Sequence, residues 1–361
     1  MKKKIAIIGL KGLPAYGGAA RSMEEITKLL CSDFSFTIYE IDSHAQKDYN
    51  IENVRRIIFK SIKIKRFNTF IYYLKSALHV LFIEKYDLIH TNHLYCGFII
   101  PFLKIKYKVI NTVHGIIPKD DIKWNKLDKV IFRFFEYLAV RFSNEVITVS
   151  KTHTEYLKRN KDREIIYIPN GITAQENIPI SNGKYILFAA SRIIKLKGLH
   201  TLIEALKKID YKDKVVILGD MDHSWKYKKQ IEDISMGLNI DFKGLIKERS
   251  LLFSLIKDSK LFVFPSFNEG MSNMLLEVAS LKTPILCSDI KENKAIFTEA
   301  EVLFFKSGDI DDLAKKILWA NKNIGLMQCK AMNAYKKLVL EYNWTKISQL
   351  YKSVYLSLMN D

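Results

Sequence analysis

Asn268-Glu269-Gly270-Met271-Ser272-Asn273-Met274-Leu275-Leu276-Glu277 places two carboxylates eight positions apart around a glycine and small polar residues. The apolar run 261–265 before it reads as a buried strand, and a helix is expected to begin near Met271. Glu277 would then lie about two turns into that helix. A strand that turns directly into a helix is the repeating joint of a parallel α/β sheet. The joint carries chemistry because the first amides of a helix have no intrahelical acceptor and favour an anion. Gly270, Met271, Ser272 and Asn273 would offer those amides to a diphosphate, with Glu277 reaching ribose hydroxyls and Glu269 facing a sugar beyond the phosphate. A single Glu-x7-Glu pair also fits two solvated ends of a surface helix, so the flanking segments must decide.

Outward from this joint the same alternation recurs. Short Ile-, Val- and Tyr-rich runs at 4–9, 36–41, 56–59, 88–90, 109–112 and 145–149 predict buried strands. Helical patterns at 20–31, 67–84, 126–142 and 151–159 lie between them. A second series has strands at 185–189, 214–218, 240–242, 261–264, 284–287 and 302–305. Its helices are expected at 199–209, 226–235, 247–257, 274–280 and 309–321. Two doubly wound α/β domains are therefore predicted, over 1–172 and 184–342, which suits a chain of 361 residues. The stretch 173–183 has no periodicity and reads as the linker. In 343–361, Trp344, Ile347, Leu350, Tyr351, Val354, Tyr355 and Leu358 recur at helical spacing and predict an amphipathic helix.

The composition, 48% hydrophobic and 27% charged, is that of a folded chain. Cys31, Cys96, Cys287 and Cys329 stand far apart with no C-x-x-C, which points to a reducing compartment. The apolar part of the N-terminus stops at Gly9, too soon for a signal peptide, and no run approaches the ~20 residues that span a bilayer. A cytoplasmic protein is expected. The +18 net charge is unevenly placed: 53–83 contains no acidic residue but holds Arg55, Arg56, Lys60, Lys63, Lys65, Arg66 and Lys75. Phe59, Phe67, Phe70, Ile71, Tyr72, Tyr73 and Leu74 are interleaved with them. Such a stretch suits an anionic membrane surface or a nucleic acid, and no nucleic-acid motif accompanies it. The Arg55–Lys75 segment is thus read as a peripheral contact with the inner face of the cytoplasmic membrane. The other reading is a solvated face over core aromatics.

Further segments add to the opening one. Arg192 and Lys197, in Ser191-Arg192-Ile-Ile-Lys-Leu-Lys197-Gly198, follow the first strand of the second domain, where doubly wound sheets bind ligands. Together they match the charge of a departing diphosphate. The loop from Gly9 to Arg21 ends in Gly17-Gly18 before a helix, so its backbone can approach a phosphate or sugar closely. It lacks the G-x-G-x-x-G spacing and the acidic residue of a dinucleotide site, which disfavours a dehydrogenase. His114 closes a strand of the first domain. His90 and His93 form an H-x-x-H near another strand end, with no third ligand beside them in sequence, and are assigned to shaping an acceptor cleft.

Taken together these segments resemble retaining GT-B glycosyltransferases of family 4 over nearly the whole chain. Glu269 and Glu277 match the family's E-x7-E, Arg192 to Gly198 its R-x4-K-G, and Pro169-Asn170-Gly171 its interdomain hinge. Gly244 and Leu245, in Phe242-Lys243-Gly244-Leu245-Ile246, match the F-x-G loop whose backbone contacts the nucleotide base. Two departures stand out. Gly219-Asp220-Met221-Asp222 replaces a more usual G-x-G, and Met271-Ser272-Asn273 replaces Phe-Gly-Leu.

The resemblance implies two Rossmann-like domains facing across a cleft, with the C-terminal helix crossing back to cover the first. It implies sugar transfer from a nucleotide-sugar donor to a lipid-linked or oligosaccharide acceptor, in bacterial surface polysaccharides such as capsule or O-antigen. His114, Arg192, Lys197 and Glu269 would be catalytic, with His114 beside the transferred sugar. No cofactor, no metal and no nucleic acid is implied, since no Asp-x-Asp cluster stands at the expected donor site. A sugar-nucleotide epimerase of the same fold and a catalytically silent membrane-bound scaffold are the alternatives.

Overall fold

The structure, a computed structural model, describes residues 2–15, 18–62, 65–116, 125–161, 163–173, 183–222 and 224–360. The chain divides into two units, Met1–Asn170 with Trp344–Asp361, and Gly171–Asn343. Most of the expected linker, together with Gly17 and Lys63, lies outside the described residues, as do the side chains of Lys65 and Arg66.

The first unit carries strands β1 (Lys3–Ile8), β2 (Phe34–Ile41), β3 (Val54–Phe59), β4 (Leu88–Asn92), β5 (Lys108–Val113), β6 (Glu145–Thr148) and β7 (Ile166–Tyr167). Its helices are α1 (Gly18–Leu30), α2 (Lys65–Phe82), α3 (Ile100–Lys104), α4 (Lys126–Phe142) and α5 (Lys151–Lys161). The strands are parallel, in the order β3-β2-β1-β4-β5-β6-β7. The second unit alternates β8 (Tyr185–Arg192), α6 (Leu199–Lys208), β9 (Val215–Asp220), α7 (Trp225–Ser235), β10 (Ile240–Gly244) and α8 (Arg249–Lys257). It continues with β11 (Ser259–Phe264), α9 (Asn273–Ser280), β12 (Ile285–Ser288), α10 (Lys291–Lys294), β13 (Leu303–Phe305), α11 (Ile310–Lys322) and α12 (Ile324–Glu341). Its parallel sheet runs β10-β9-β8-β11-β12-β13. Each unit is thus a doubly wound, Rossmann-like α/β layer structure. The apolar runs of the inner strands β2, β4 and β9 are buried on both faces, as covered parallel strands are, while the edge strands β3 and β10 are partly exposed.

The last helix, α13 (Trp344–Asn360), belongs to the first unit. Trp344, Ile347, Tyr351, Tyr355 and Leu358 recur every three or four residues, and all are buried in a cluster with Met23 and Ile26 of α1 and Phe34 and Phe36 of β2. The Tyr355 hydroxyl lies 2.7 Å from His90 Nδ1, and the other ring nitrogen lies 2.8 Å from Thr112 Oγ1. His90 is therefore a fully buried core residue under α13, which corrects its assignment to an acceptor cleft. Burial pushes its pKa down to about 3. The unfolded chain takes up that proton near pH 6.5 while the folded one does not, so stability present above pH 6.5 is lost as pH falls. His90 alone is expected to cost on the order of 2 kcal/mol between pH 7 and pH 5. Urea melts at the two pH values should show the difference, and a His90→Gln variant should lose that share of the slope.

The acid-free stretch divides on folding. On β3, Arg55 and Arg56 leave opposite faces. Arg55 meets Glu84 at the surface (2.7 Å), whereas Arg56 is buried in a forked pair with Glu40 (2.6 and 2.7 Å). Tyr72 and Tyr73 are core residues and Phe59 stacks on Tyr39. The continuous basic-aromatic surface expected over Arg55–Lys75 is therefore corrected to a mixture of core and surface. The two arginines spend their charge on neighbours within the fold.

Candidate active site

In the second sheet the strand order reverses between β8 and β11. The loops after these two strands leave the carboxyl edge on either side of that reversal, the usual ligand position of such sheets. This topology brings together residues more than seventy positions apart. Gly198 has φ +71°, and a Cβ there would sit 1.9 Å from the Pro265 carbonyl oxygen. Only glycine lets the loop after β8 lie so close to the loop after β11. The loops are stitched by Phe267 N–H donating to the Leu196 carbonyl (2.9 Å), with Ser266 Oγ 3.2 Å from the same oxygen.

On that seam Lys197 Nζ lies 2.5 Å from Glu269 Oε1, and Ser266 Oγ lies 2.6 Å from the same carboxylate oxygen. Glu269 is largely buried and Lys197 about one quarter exposed, so the ammonium has one side on the carboxylate and another open to solvent. The Lys197 ammonium is also 5.9 Å from the centre of the Phe264 ring. Arg192 ends β8 as an exposed side chain, paired in register with Asp220, and makes no ion pair among the described residues. The structure brings Lys197 and Glu269 into contact, and among the described residues Arg192 forms an ion pair with neither.

The helix after Glu269 starts between the two expected positions, two residues after Met271 and one before the expected run 274–280. Ser272 is the N-cap and its side chain accepts from Leu275 N–H (3.4 Å), so α9 begins at Asn273. The cap chemistry of serine sets this boundary. Glu277 consequently lies little more than one turn in, buried, with Oε1 3.7 Å from Arg249 Nη1 of α8. Met271 is buried, and Gly270 is partly exposed between it and Glu269. Gly244 ends the edge strand β10 at φ +66°, with nothing within 4 Å of where a Cβ would stand, and Leu245 beside it is exposed. Asp222, in the segment after β9 that replaces the usual G-x-G, pairs with Lys228 (2.8 Å). Among the described residues no group of His, Cys, Asp and Glu has the placement of a metal site.

In the first unit, Gly18 is the first residue of α1. His114 follows β5, its Nε2 3.2 Å from Asn92 Oδ1 at the end of β4. The His93 ring lies 5.2 Å from it. Burial first, then repulsion from His93 and His90, holds the His114 pKa well below the usual imidazole value. This histidine is a neutral hydrogen-bonding group, not a cation. Sequence reading missed Ser266, Arg249 and Asn92. Ser266 was findable as a hydroxyl three residues before Glu269, but Arg249 and Asn92 matter only through contacts that no local pattern reveals.

Two family models match: Glycosyltransferase Family 4 over residues 16–176 and Glycosyl transferases group 1 over residues 172–338. The chain belongs to glycosyltransferase family 4. This family 4 chain is 23% identical over 389 residues to an Escherichia coli UDP-Gal:alpha-D-GlcNAc-diphosphoundecaprenol alpha-1,3-galactosyltransferase, covering 99% of this chain and 98% of that one. It is also 23% identical to the O-antigen chain mannosyltransferase RfbU of Salmonella typhimurium, covering 92% of this chain and 91% of the relative. Sucrose-phosphate synthase from Thermosynechococcus elongatus has the same fold, with a TM-score of 0.84, 17% identity, and coverage of 99% of this chain and 100% of that one. The family 4 enzyme is thus a glycosyltransferase of GT-B type whose relatives include polysaccharide-biosynthesis enzymes.

Proposed function

We propose that this glycosyltransferase moves a sugar from a nucleoside-diphosphate sugar to a lipid-linked glycan, with retention of the anomeric configuration and without a metal ion. The observation that carries the reading is the Lys197–Glu269 contact across the reversal of the second sheet. A cation beside a carboxylate, at the edge where this sheet type binds ligands, serves a donor with a charged diphosphate on one side and a hydroxyl-rich sugar on the other. As the bond from the anomeric carbon to the diphosphate oxygen breaks, negative charge collects on that oxygen, where Lys197 and Arg192 supply compensating charge. The acceptor hydroxyl oxygen bonds to the anomeric carbon from the face the diphosphate leaves. Its proton passes to the departing diphosphate, so no enzyme nucleophile is consumed.

Glu269 keeps Lys197 in place and meets sugar hydroxyls. Glu277, Gly244 and Leu245 take the nucleoside, while the amides of Gly270 to Asn273 take the phosphates. His114 serves the transferred sugar, and Gly17 and Gly18 serve the donor. The E. coli relative's name gives it a UDP-sugar donor and a diphosphoundecaprenol acceptor, and both classes are proposed for this chain.

Incubation with UDP-sugars and a short polyprenyl-diphosphate-linked acceptor, followed by NMR of the product, tests the reading. A product with the donor's anomeric configuration, formed equally well in excess EDTA, is expected. An inverted linkage, or activity recovered only on adding a divalent cation, would defeat it. Conversion of the donor sugar with no acceptor present would make the protein an epimerase instead.

A further inference from the structure

Helix α2 is apolar on two faces. Tyr72, Tyr73, Ala77 and Val80 fill the core of the first unit. Phe67, Phe70, Leu74, Leu78 and Phe82 recur at spacings of three and four on the other side and are exposed, Phe82 to 78%. A second apolar stripe that no core covers needs a second apolar environment. The exposed face continues onto the neighbouring helices. Phe70 stacks on Phe98 (4.5 Å), Phe98 meets Phe135 of α4 (5.2 Å), and Phe134 beside it is exposed. On α3, Ile105 at its C-terminal end is 83% exposed, and Leu127 in the first turn of α4 is 68% exposed.

Charge identifies the occupant. Neither α2 nor α3 contains an acidic residue, and Glu84 just beyond α2 is neutralised by Arg55. Lys104 beside Ile105 and Lys126 beside Leu127 are exposed. A second copy seated here would bring like charges together, and a nucleic acid offers nothing to the aliphatic tips. An interface whose outer layer is anionic and whose inner layer is hydrocarbon satisfies both properties.

We infer that the first unit docks on an anionic lipid surface through the exposed apolar faces of α2, α3 and α4, with Lys104 and Lys126 at its rim. The inference extends the proposed lipid-linked acceptor but stands apart from catalysis, because lipid binding is read without donor or acceptor.

The test is co-sedimentation of the full-length protein with phosphatidylcholine vesicles, with and without phosphatidylglycerol. Binding to the anionic vesicles should exceed that to the neutral ones at least tenfold and weaken with salt. Each basic side chain near such a surface strengthens binding about fivefold, so Lys104→Gln with Lys126→Gln should lose roughly twenty-fivefold. Leu78→Glu with Phe82→Glu should remove binding at every salt concentration. Because both positions are exposed, its melting temperature should stay near wild type. If the glutamate variant fails to fold, the loss in the lysine variant still tests the inference. Equal binding to both vesicle types, no binding to either, or an unchanged affinity in the lysine variant would overturn the inference. A dimer by light scattering that the glutamate variant dissociates would assign the face to a second copy and overturn it too.

Discussion

Lys197→Ala is expected to lower turnover roughly 10²- to 10³-fold, the range seen when one preorganised charge-stabilising donor is lost. The effect should fall on kcat more than on KM, since the charge on the departing oxygen exists fully only in the transition state. Stability should change little. The Lys197–Glu269 pair is single and partly solvated, so its loss costs about 1 kcal/mol. Turnover above a tenth of wild type with the fold intact would remove Lys197 from the chemistry. Lys197→Arg is a useful companion, because it keeps the charge but not the point geometry that places one ammonium on the Glu269 oxygen. Partial activity there, with none in the alanine variant, would locate the requirement in charge. Glu269→Gln should reduce turnover as well, by releasing Lys197 from its position 2.5 Å away.

Arg56→Ala should cost about 3–5 kcal/mol of stability, because it leaves a carboxylate buried without its partner. Glu40 is completely buried and takes two guanidinium hydrogen bonds, and its second oxygen also accepts from Leu13 N–H (2.9 Å). Arg56 in turn donates to the backbone carbonyls of Gln46 (2.9 Å) and Tyr49. The pair therefore ties the loop after β1, through Leu13, to the loop after β2, through Gln46 and Tyr49. Arg55→Ala, at the surface, is expected to change stability by less than about 1 kcal/mol. Denaturant melts of the two variants check the contrast. Near-equal losses would mean that Glu40 finds other partners or takes up a proton.

The parts of the candidate site that were legible in the sequence are those set by local rules. A helix start was readable near Met271, with Glu269 and Glu277 flanking the joint of strand and helix; that Gly198 must be glycine depends on Pro265, which is distant in sequence. The two-residue error in where α9 begins arose because the hydrophobic period continues back to Met271, while the cap hydrogen bond that stops the helix is not periodic. The sequence places His90 and His114 alike at expected strand ends, whereas His90 is the middle residue of β4 and His114 follows β5. One is locked between Tyr355 and Thr112, and the other faces Asn92 and His93. Helix α12 went unread because two of its four buried positions, Ala331 and Ala334, are small, so that with Met327 and Leu338 they give a weak stripe.

By itself the sequence determined the strand–helix alternation, the two doubly wound units, the amphipathic last helix and the glycosyltransferase motifs. These depend on periodicity and turn chemistry, which act over a few residues. The tertiary structure alone decided that Lys197 meets Glu269, that Arg56 is buried and Arg55 exposed, and that α2 has a second apolar face with no core to enter. Each depends on which strands are neighbours and what covers each face. Two arginines adjacent in sequence, on opposite sides of one strand, meet different dielectric surroundings, and composition carries no trace of that difference.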